Sequence, residues 1–175
     1  MKKGLVHIYT GDGKGKTTAA MGLAFRASGY AYNICILQFL KARNTGEKLA
    51  AKNINDITYK RANTSTKFTI QMNEQEKNIL KKEINISWNK LKQNISENNY
   101  DLLILDEIMA VINNNFLSVN QLENFINEKP RKLEVIMTGR KAPQELIEVA
   151  DYVTEMKLIK HPFSKNIKAR KGIEF

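Results

Sequence analysis

The chain has 175 residues, of which 42% are hydrophobic and 26% are charged, and its formal net charge is +10. This length fits one domain that buries about 70% of its unfolded surface. The single cysteine, Cys35, excludes an internal disulfide framework and is typical of a reducing compartment. No stretch reaches the ~20 apolar residues of a membrane span, so we expect a cytoplasmic protein without a membrane partner.

A glycine-rich stretch, Thr10–Thr18, lies between a short apolar segment and a helix predicted over Lys16–Ser28. A strand, a glycine loop ending in Gly-Lys-Thr and a helix are typical of a phosphate-binding P-loop. Lys16 is expected to reach the outer phosphates and Thr17 to bind Mg²⁺. Thr10 departs from the usual motif, which has glycine at its position. The predicted nucleotide-binding residues of the loop are Gly11, Asp12, Gly13, Lys14, Gly15, Lys16, Thr17 and Thr18.

The next elements alternate between strands and helices. Gly29 is predicted to end the first helix in a left-handed conformation. Residues 34–39 form a continuous apolar run, which predicts a buried strand, and residues 57–61 alternate as a strand does. Asn73 and Glu76 have the spacing of a capping box that starts a long helix. The apolar face of that helix is predicted to consist of Leu80, Ile84, Trp88, Leu91 and Ile95.

Four apolar residues lead directly into Asp106 and Glu107. This pattern is typical of the Walker B strand, which brings a carboxylate to the edge of the sheet, where it binds Mg²⁺ or its waters. An ordinary strand end followed by an acidic helix cap is the alternative. Because Lys16 and Thr17 lie upstream in the same chain, we favour the metal role for Thr17, Asp106 and Glu107.

The last third of the chain repeats the alternation. Ser118 and Gln121 predict a second capping box, and residues 133–137 predict a strand that ends before Arg140. An arginine just beyond a strand end is well placed to bind phosphate. A helix after Pro143 and a last strand at residues 151–156 complete the predicted elements. Residues 160–175 are predicted to be an irregular basic tail.

These elements predict a single α/β domain over residues 1–175, with a doubly wound, mainly parallel sheet. Ligands of such sheets bind outside the carboxyl ends of the strands, where the loop, Asp106 and Arg140 all lie. The residues alone therefore predict ATP or GTP binding with Mg²⁺. They do not determine which bond is broken.

Thr10–Thr18 resembles the signature of the P-loop class of ATP:corrinoid adenosyltransferases. That family also has a non-glycine residue at the Thr10 position. The resemblance continues in separate blocks, which are Leu37–Lys41, Gly46-Glu47, Leu105–Ile108, Thr138–Ile147, Thr154–Met156, Lys160–Phe163 and Gly172–Phe175. It implies a P-loop NTPase (RecA-like) fold and transfer of the 5′-deoxyadenosyl group of ATP to cob(I)alamin or a related corrinoid, with release of triphosphate.

The resemblance also implies roles for individual residues. Lys16, Glu107 and Arg140 would be catalytic, with Mg²⁺ or Mn²⁺ as the metal, and Asp12 would approach the ribose. Arg26 and Lys41 would contact the nucleotide or the corrinoid. Phe68 would close the lower face of the corrin, where Ile70 stands in place of a second aromatic residue. A homodimer and a reduced flavodoxin-like electron donor are the expected partners.

Two other functions fit the residues. Asp106 and Glu107 resemble the pair with which P-loop ATPases and phosphotransferases bind Mg²⁺ and activate water. The net charge is typical of an ATP-gated nucleic-acid-binding protein. Because the basic residues are scattered and no nucleic-acid-binding signature appears, we favour adenosyl transfer.

Overall fold

A computed structural model describes residues 3–40, 45–65 and 67–175 of the protein. The strands are β1 (Val6–Thr10), β2 (Ile34–Gln38), β3 (Ile57–Arg61), β4 (Leu102–Asp106), β5 (Glu134–Thr138) and β6 (Tyr152–Glu155). The helices are α1 (Lys16–Ser28), α2 (Gly46–Ala51), α3 (Glu74–Asn98), α4 (Ile108–Asn113), α5 (Val119–Glu128) and α6 (Gln144–Val149). Short 3₁₀ helices span Thr69–Gln71 and Pro162–Lys165.

The six strands form one sheet in the order β3-β2-β4-β5-β1-β6, and every pair of neighbours is parallel. The predicted doubly wound, mainly parallel α/β fold is therefore confirmed. Parallel neighbours need crossover connections, and the intervening helices supply them. Among the described residues, no helix is both long enough and apolar enough to cross a membrane.

Side chains alternate between the two faces of the sheet, because successive strand residues point in opposite directions. On β4, Leu103 and Leu105 belong to the larger core, whereas Leu102 and Ile104 belong to a smaller core with α1. Both faces are buried, which explains why β2 and β4 read as continuous apolar runs.

Helix boundaries follow the capping signals of the sequence in two places. Asn73 and Ser118 each accept a hydrogen bond from the backbone N–H three residues later, and the reciprocal bonds complete both capping boxes. The predicted face of α3 is buried, and Trp88 packs edge-on against Phe125 in the core. The prediction for Gly29 is wrong: its φ is −62°, and the left-handed residue is Ala31.

The parallel register brings four strand ends to one edge of the sheet. Gln38 of β2 pairs with Asp106 of β4, and Thr138 of β5 pairs with Tyr9 of β1. The loops that follow these strands therefore meet beyond the same edge. This is the edge at which open α/β sheets bind ligands.

Replacement of Ile84 by alanine should destabilise the fold by about 2–5 kcal/mol, because Ile84 is fully buried and its loss leaves a cavity. Ile86 lies on the same helix but is 55% exposed, so Ile86→Ala provides the control and should cost less than about 1 kcal/mol. Urea unfolding measures both changes. An equal decrease in the free energy of unfolding of the two variants would contradict the assigned buried face of α3.

Candidate functional site

The glycine loop between β1 and α1 packs directly on the end of β6. Gly13 donates its backbone N–H to Met156 O at 2.7 Å, and a Cβ at Gly13 would lie 2.6 Å from that same oxygen. Gly15, with φ of 118°, caps α1 in a conformation that glycine adopts without strain. The N–H groups of the first turn of α1 therefore point out of the helix toward the loop, an arrangement that binds anions.

Lys16 lies inside the loop and is only 8% exposed. Its ammonium group donates to Gly11 O at 2.6 Å and to Gly13 O at 2.7 Å. An ammonium group has three N–H donors, so one remains for a ligand. Burial lowers the pKa of Lys16, and the nearby positive charge of Arg140 lowers it further.

Asp106 is fully buried at the end of β4, and three side chains from other elements donate hydrogen bonds to it. Thr17 Oγ1 and Thr138 Oγ1 donate to Oδ1 at 2.8 and 2.7 Å. Gln38 Nε2 donates to Oδ2 at 3.0 Å. A buried carboxylate needs such donors, because without them its desolvation would not be compensated. The Asp106 carboxylate therefore links α1, β2, β4 and β5.

Glu107 follows Asp106 in a left-handed conformation with φ of 64°. A residue with a long side chain rarely adopts this conformation, and the cost must be offset by its surroundings. Its backbone N–H donates to Thr138 Oγ1 at 2.9 Å, which fixes the turn. The side chain of Glu107 then faces the loop instead of continuing along the strand.

The turn after β5 is attached to the P-loop at two points. Arg140 forms a long ion pair with Asp12, with 3.7 Å between Nε and Oδ1. Ala142 donates its backbone N–H to Thr10 Oγ1 at 3.3 Å. Glycine at this first loop position would lack the hydroxyl that accepts this bond, so the departure from the usual motif has a structural role.

These elements surround a cavity of about 640 Å³. The loop, Glu107, Arg140 and the C-terminal segment all line it. Positive side chains at its lining are Lys14, Lys16, Arg140, Lys168 and Arg170, and negative ones are Asp12, Glu47, Glu107 and Glu174. A cavity with this many cations around a P-loop suits a polyphosphate.

Most of the predicted site residues line this one cavity. They are Asp12, Gly13, Lys14, Gly15, Lys16, Thr17, Thr18, Glu107 and Arg140. Two more predicted residues contact this lining: the Gly11 carbonyl oxygen accepts a hydrogen bond from Lys16, and Asp106 accepts one from Thr17.

Three other predicted site residues are not brought to the cavity lining. Arg26 is exposed in the last turn of α1, about 15 Å along the helix from Lys16. Phe68 is 61% exposed just before the 3₁₀ helix at Thr69–Gln71, outside the lining residues. Lys41 lies outside the described residues. The roles of all three stay predictions.

The structure also contributes residues that the motifs did not reveal. Gln38 and Thr138 support Asp106 from neighbouring strands, and their pairing became visible only with the strand order. Glu47 and much of the C-terminal segment line the cavity as well. Gln38, Thr138 and Glu47 lie in blocks that resemble the adenosyltransferase family, and Gln38 and Thr138 also lie at the ends of predicted strands. Residues 164–171 lie outside these blocks and gave no such signal.

The residues present fit a magnesium ion. Thr17 and Glu107 offer oxygen atoms at the cavity, and Mg²⁺ prefers oxygen ligands. Across the described ranges, no group of three or more His, Cys, Asp or Glu side chains is arranged to hold a metal by itself. A Mg²⁺ ion here would therefore take its other ligands from phosphate and water, as is usual for this ion.

Comparison with known proteins gives a consistent result. The family model described as ATP:corrinoid adenosyltransferase BtuR/CobO/CobP matches residues 2–175. A corrinoid adenosyltransferase from Sinorhizobium sp is 38% identical over 99% of this chain and 81% of its own length. Proteins of the same name from Pseudomonas aeruginosa and Escherichia coli K12 are 32% and 29% identical over 99% of this chain, which spans 85% and 87% of their respective lengths.

Replacement of Thr138 by valine should destabilise the protein by about 1–3 kcal/mol, because the fully buried hydroxyl both donates to Asp106 and accepts from the N–H of Glu107. Thr138→Ser keeps the hydroxyl and serves as the control. Urea unfolding of both variants is the measurement. A Thr138→Val variant as stable as the wild type would contradict the assigned role of the hydroxyl.

Proposed function

This chain belongs to the ATP:corrinoid adenosyltransferase family, and from that premise we propose that its P-loop holds the triphosphate of ATP as a leaving group while the 5′-deoxyadenosyl group passes to the reduced cobalt of a corrinoid. The observation that supports this role is the cavity around Lys16, whose lining includes five cationic side chains. The cobalt(I) electron pair forms the cobalt–carbon bond. The carbon–oxygen bond at the ribose 5′-carbon breaks, and its electron pair leaves with the triphosphate.

The P-loop and the residues beside it stabilise the departing triphosphate. The N-terminus of α1 and the remaining N–H of Lys16 supply donors, and Arg140 adds a planar fork suited to phosphate. Preorganised donors of this kind are effective because they need no reorganisation as charge develops. Lys16 is held in position by the carbonyl groups of Gly11 and Gly13, so its orientation is fixed before a ligand arrives.

Thr17 and Glu107 are proposed to hold Mg²⁺, with Asp106 orienting the Thr17 hydroxyl from behind. Thr17 donates its hydroxyl hydrogen to Asp106, which fixes the orientation of the hydroxyl oxygen at the proposed metal site. When bound, the ion neutralises part of the charge of the triphosphate.

The protein's main contribution to the chemical step is the position of the two substrates. Reduced cobalt is already a strong nucleophile, so no protein group needs to activate it. Well-oriented reactants reach effective molarities on the order of 10⁵–10⁸ M. Asp12, which lies at the cavity and pairs with Arg140, is proposed to contact the ribose.

The corrinoid is proposed to meet the segment that contains Phe68 and Ile70. These apolar side chains are 61% and 92% exposed, which supports contact with a large apolar ring. The resemblance implies that Phe68 closes the lower face of the corrin and displaces the lower ligand, so that cobalt is reduced more easily. A homodimer, a reduced flavodoxin-like donor and a cytoplasmic location complete the proposal.

Lys16→Ala should reduce adenosylation by at least about a hundredfold, because it removes a charged donor to the leaving group. Protein, MgATP and hydroxocobalamin are mixed under a strong reductant without air, and the light-sensitive product is followed by absorbance. Lys92→Ala changes an exposed lysine on α3 and should retain full activity. Normal turnover by the Lys16 variant would exclude the proposed role of the loop.

Phe68→Ala should slow the reaction with cobalamin roughly tenfold, since burial of a phenyl group is worth about 1.5–3 kcal/mol. Cobinamide has no lower nucleotide ligand to displace, so the substitution should slow the reaction with cobinamide less. Phe25→Ala is the matched control, because Phe25 is a 71% exposed phenylalanine on α1. Initial rates are measured with both corrinoids. An equal decrease in rate with cobalamin and cobinamide would contradict the assignment of Phe68 to the lower face.

A further inference from the structure

The C-terminal segment, residues 161–175, lines the same cavity as the P-loop. The sequence predicts an irregular basic tail over residues 160–175, with two blocks that resemble the adenosyltransferase family. The segment contributes nine residues to the lining of this cavity. Two of these, Lys168 and Arg170, are among the five cations of the cavity.

Glu174 holds Arg170 in a defined orientation. Arg170 Nε donates to Oε2 at 3.2 Å and Nη2 donates to Oε1 at 3.0 Å, which is a two-point contact between the planar groups. The backbone N–H of Arg170 also donates to Oε2 at 2.7 Å. Gly172, with φ of 78°, turns the chain between the two residues.

The same carboxylate joins the segment to the P-loop. Lys14 Nζ lies 3.8 Å from Glu174 Oε1 and donates to Ile173 O at 3.5 Å. Glu174 therefore lies between a cation of the loop and a cation of the segment. Neighbouring cations repel each other, and a carboxylate placed between them lets both face one cavity.

We propose that Arg170 is a further phosphate-binding residue of the nucleotide site and that Glu174 is its positioning residue. The guanidinium has five N–H donors, of which Glu174 takes two, so three remain on the other side of the fork. Their class of ligand is the triphosphate, because Lys14, Lys16 and Arg140 of the same cavity lie in or beside the P-loop and a guanidinium fork matches phosphate oxygens. This inference rests on the proposed function for its ligand, but it concerns binding and not the chemical step.

A purely structural ion pair is the competing explanation. The Arg170 and Glu174 side chains are 62% and 23% exposed, and exposed pairs of this kind contribute little to stability. A structural pair would affect the unfolding midpoint slightly and would leave ligand affinity unchanged.

Calorimetric titration without corrinoid separates these explanations. The probes are inorganic triphosphate and MgATP. Arg170→Ala should weaken binding of both roughly tenfold, since it removes a charged hydrogen bond to phosphate. Arg170→Lys keeps the charge but lacks the planar fork, so its affinity for both probes should lie between those of Arg170→Ala and the wild type. Glu174→Gln should weaken binding about threefold, because Arg170 is present but less well oriented.

Lys171→Ala is the charge-matched control. Lys171 is exposed next to Arg170 but does not line the cavity, so this variant should bind both probes as the wild type does. If Arg170→Ala and Lys171→Ala weakened binding equally, general charge and not a specific contact would explain the effect. A Glu174→Gln variant with wild-type affinity would overturn the positioning role.

A carboxyl NMR titration reports the contact directly. The Arg170 side chain and backbone N–H lower the pKa of Glu174 from its ordinary value of 4.5 to about 2. Arg170→Ala should return this pKa toward 4.5, and an unchanged pKa would contradict the contact. Because these measurements need no corrinoid, loss of triphosphate binding in the variants supports the inference even if the adenosylation assay fails.

Discussion

The buried carboxylate of Asp106 is the constraint on which the site depends. It accepts hydrogen bonds from Thr17 at the start of α1, Thr138 at the end of β5 and Gln38 at the end of β2. Each donor belongs to a different element, so the bonds fix the position of the P-loop helix relative to three strands. Since a buried carboxylate without donors is costly, an arrangement that keeps the three donors around Asp106 is favoured.

That arrangement determines how charge is distributed around the cavity. Thr138 accepts a hydrogen bond from the backbone N–H of Glu107 while it donates to Asp106, so one hydroxyl contacts both acidic residues. The turn after β5 then places Arg140 beside Asp12 of the loop. Donors therefore lie beside the P-loop, where the proposed leaving triphosphate would accumulate charge. For a reaction whose nucleophile is already reactive, this distribution is the principal contribution that a protein can make.

Much of this was predictable from the sequence because the relevant signals are local. The Thr10–Thr18 motif, the capping boxes at Asn73 and Ser118, and the apolar run before Asp106 each predict their element from adjacent residues. The orientation of the strands followed from the alternation of strands and helices. Gly29 failed as a left-handed cap because Ala31 adopts that conformation two residues later.

Long-range contacts of the site were not predictable in this way. The support of Asp106 by Gln38 depends on the register between β2 and β4, and these residues are 68 positions apart. The contact between Lys14 and Glu174 brings the two ends of the chain together. No periodicity or motif reports such a contact, so neither the composition of the tail nor its two family-like blocks placed it beside the loop.

The central claim is that the P-loop holds a leaving triphosphate and does not support attack on the γ-phosphate. The most direct measurement is ³¹P NMR of the phosphate products after a single turnover of MgATP with reduced corrinoid. The account predicts intact inorganic triphosphate in a one-to-one ratio with the adenosylated corrinoid. ADP and orthophosphate formed in place of triphosphate would contradict it.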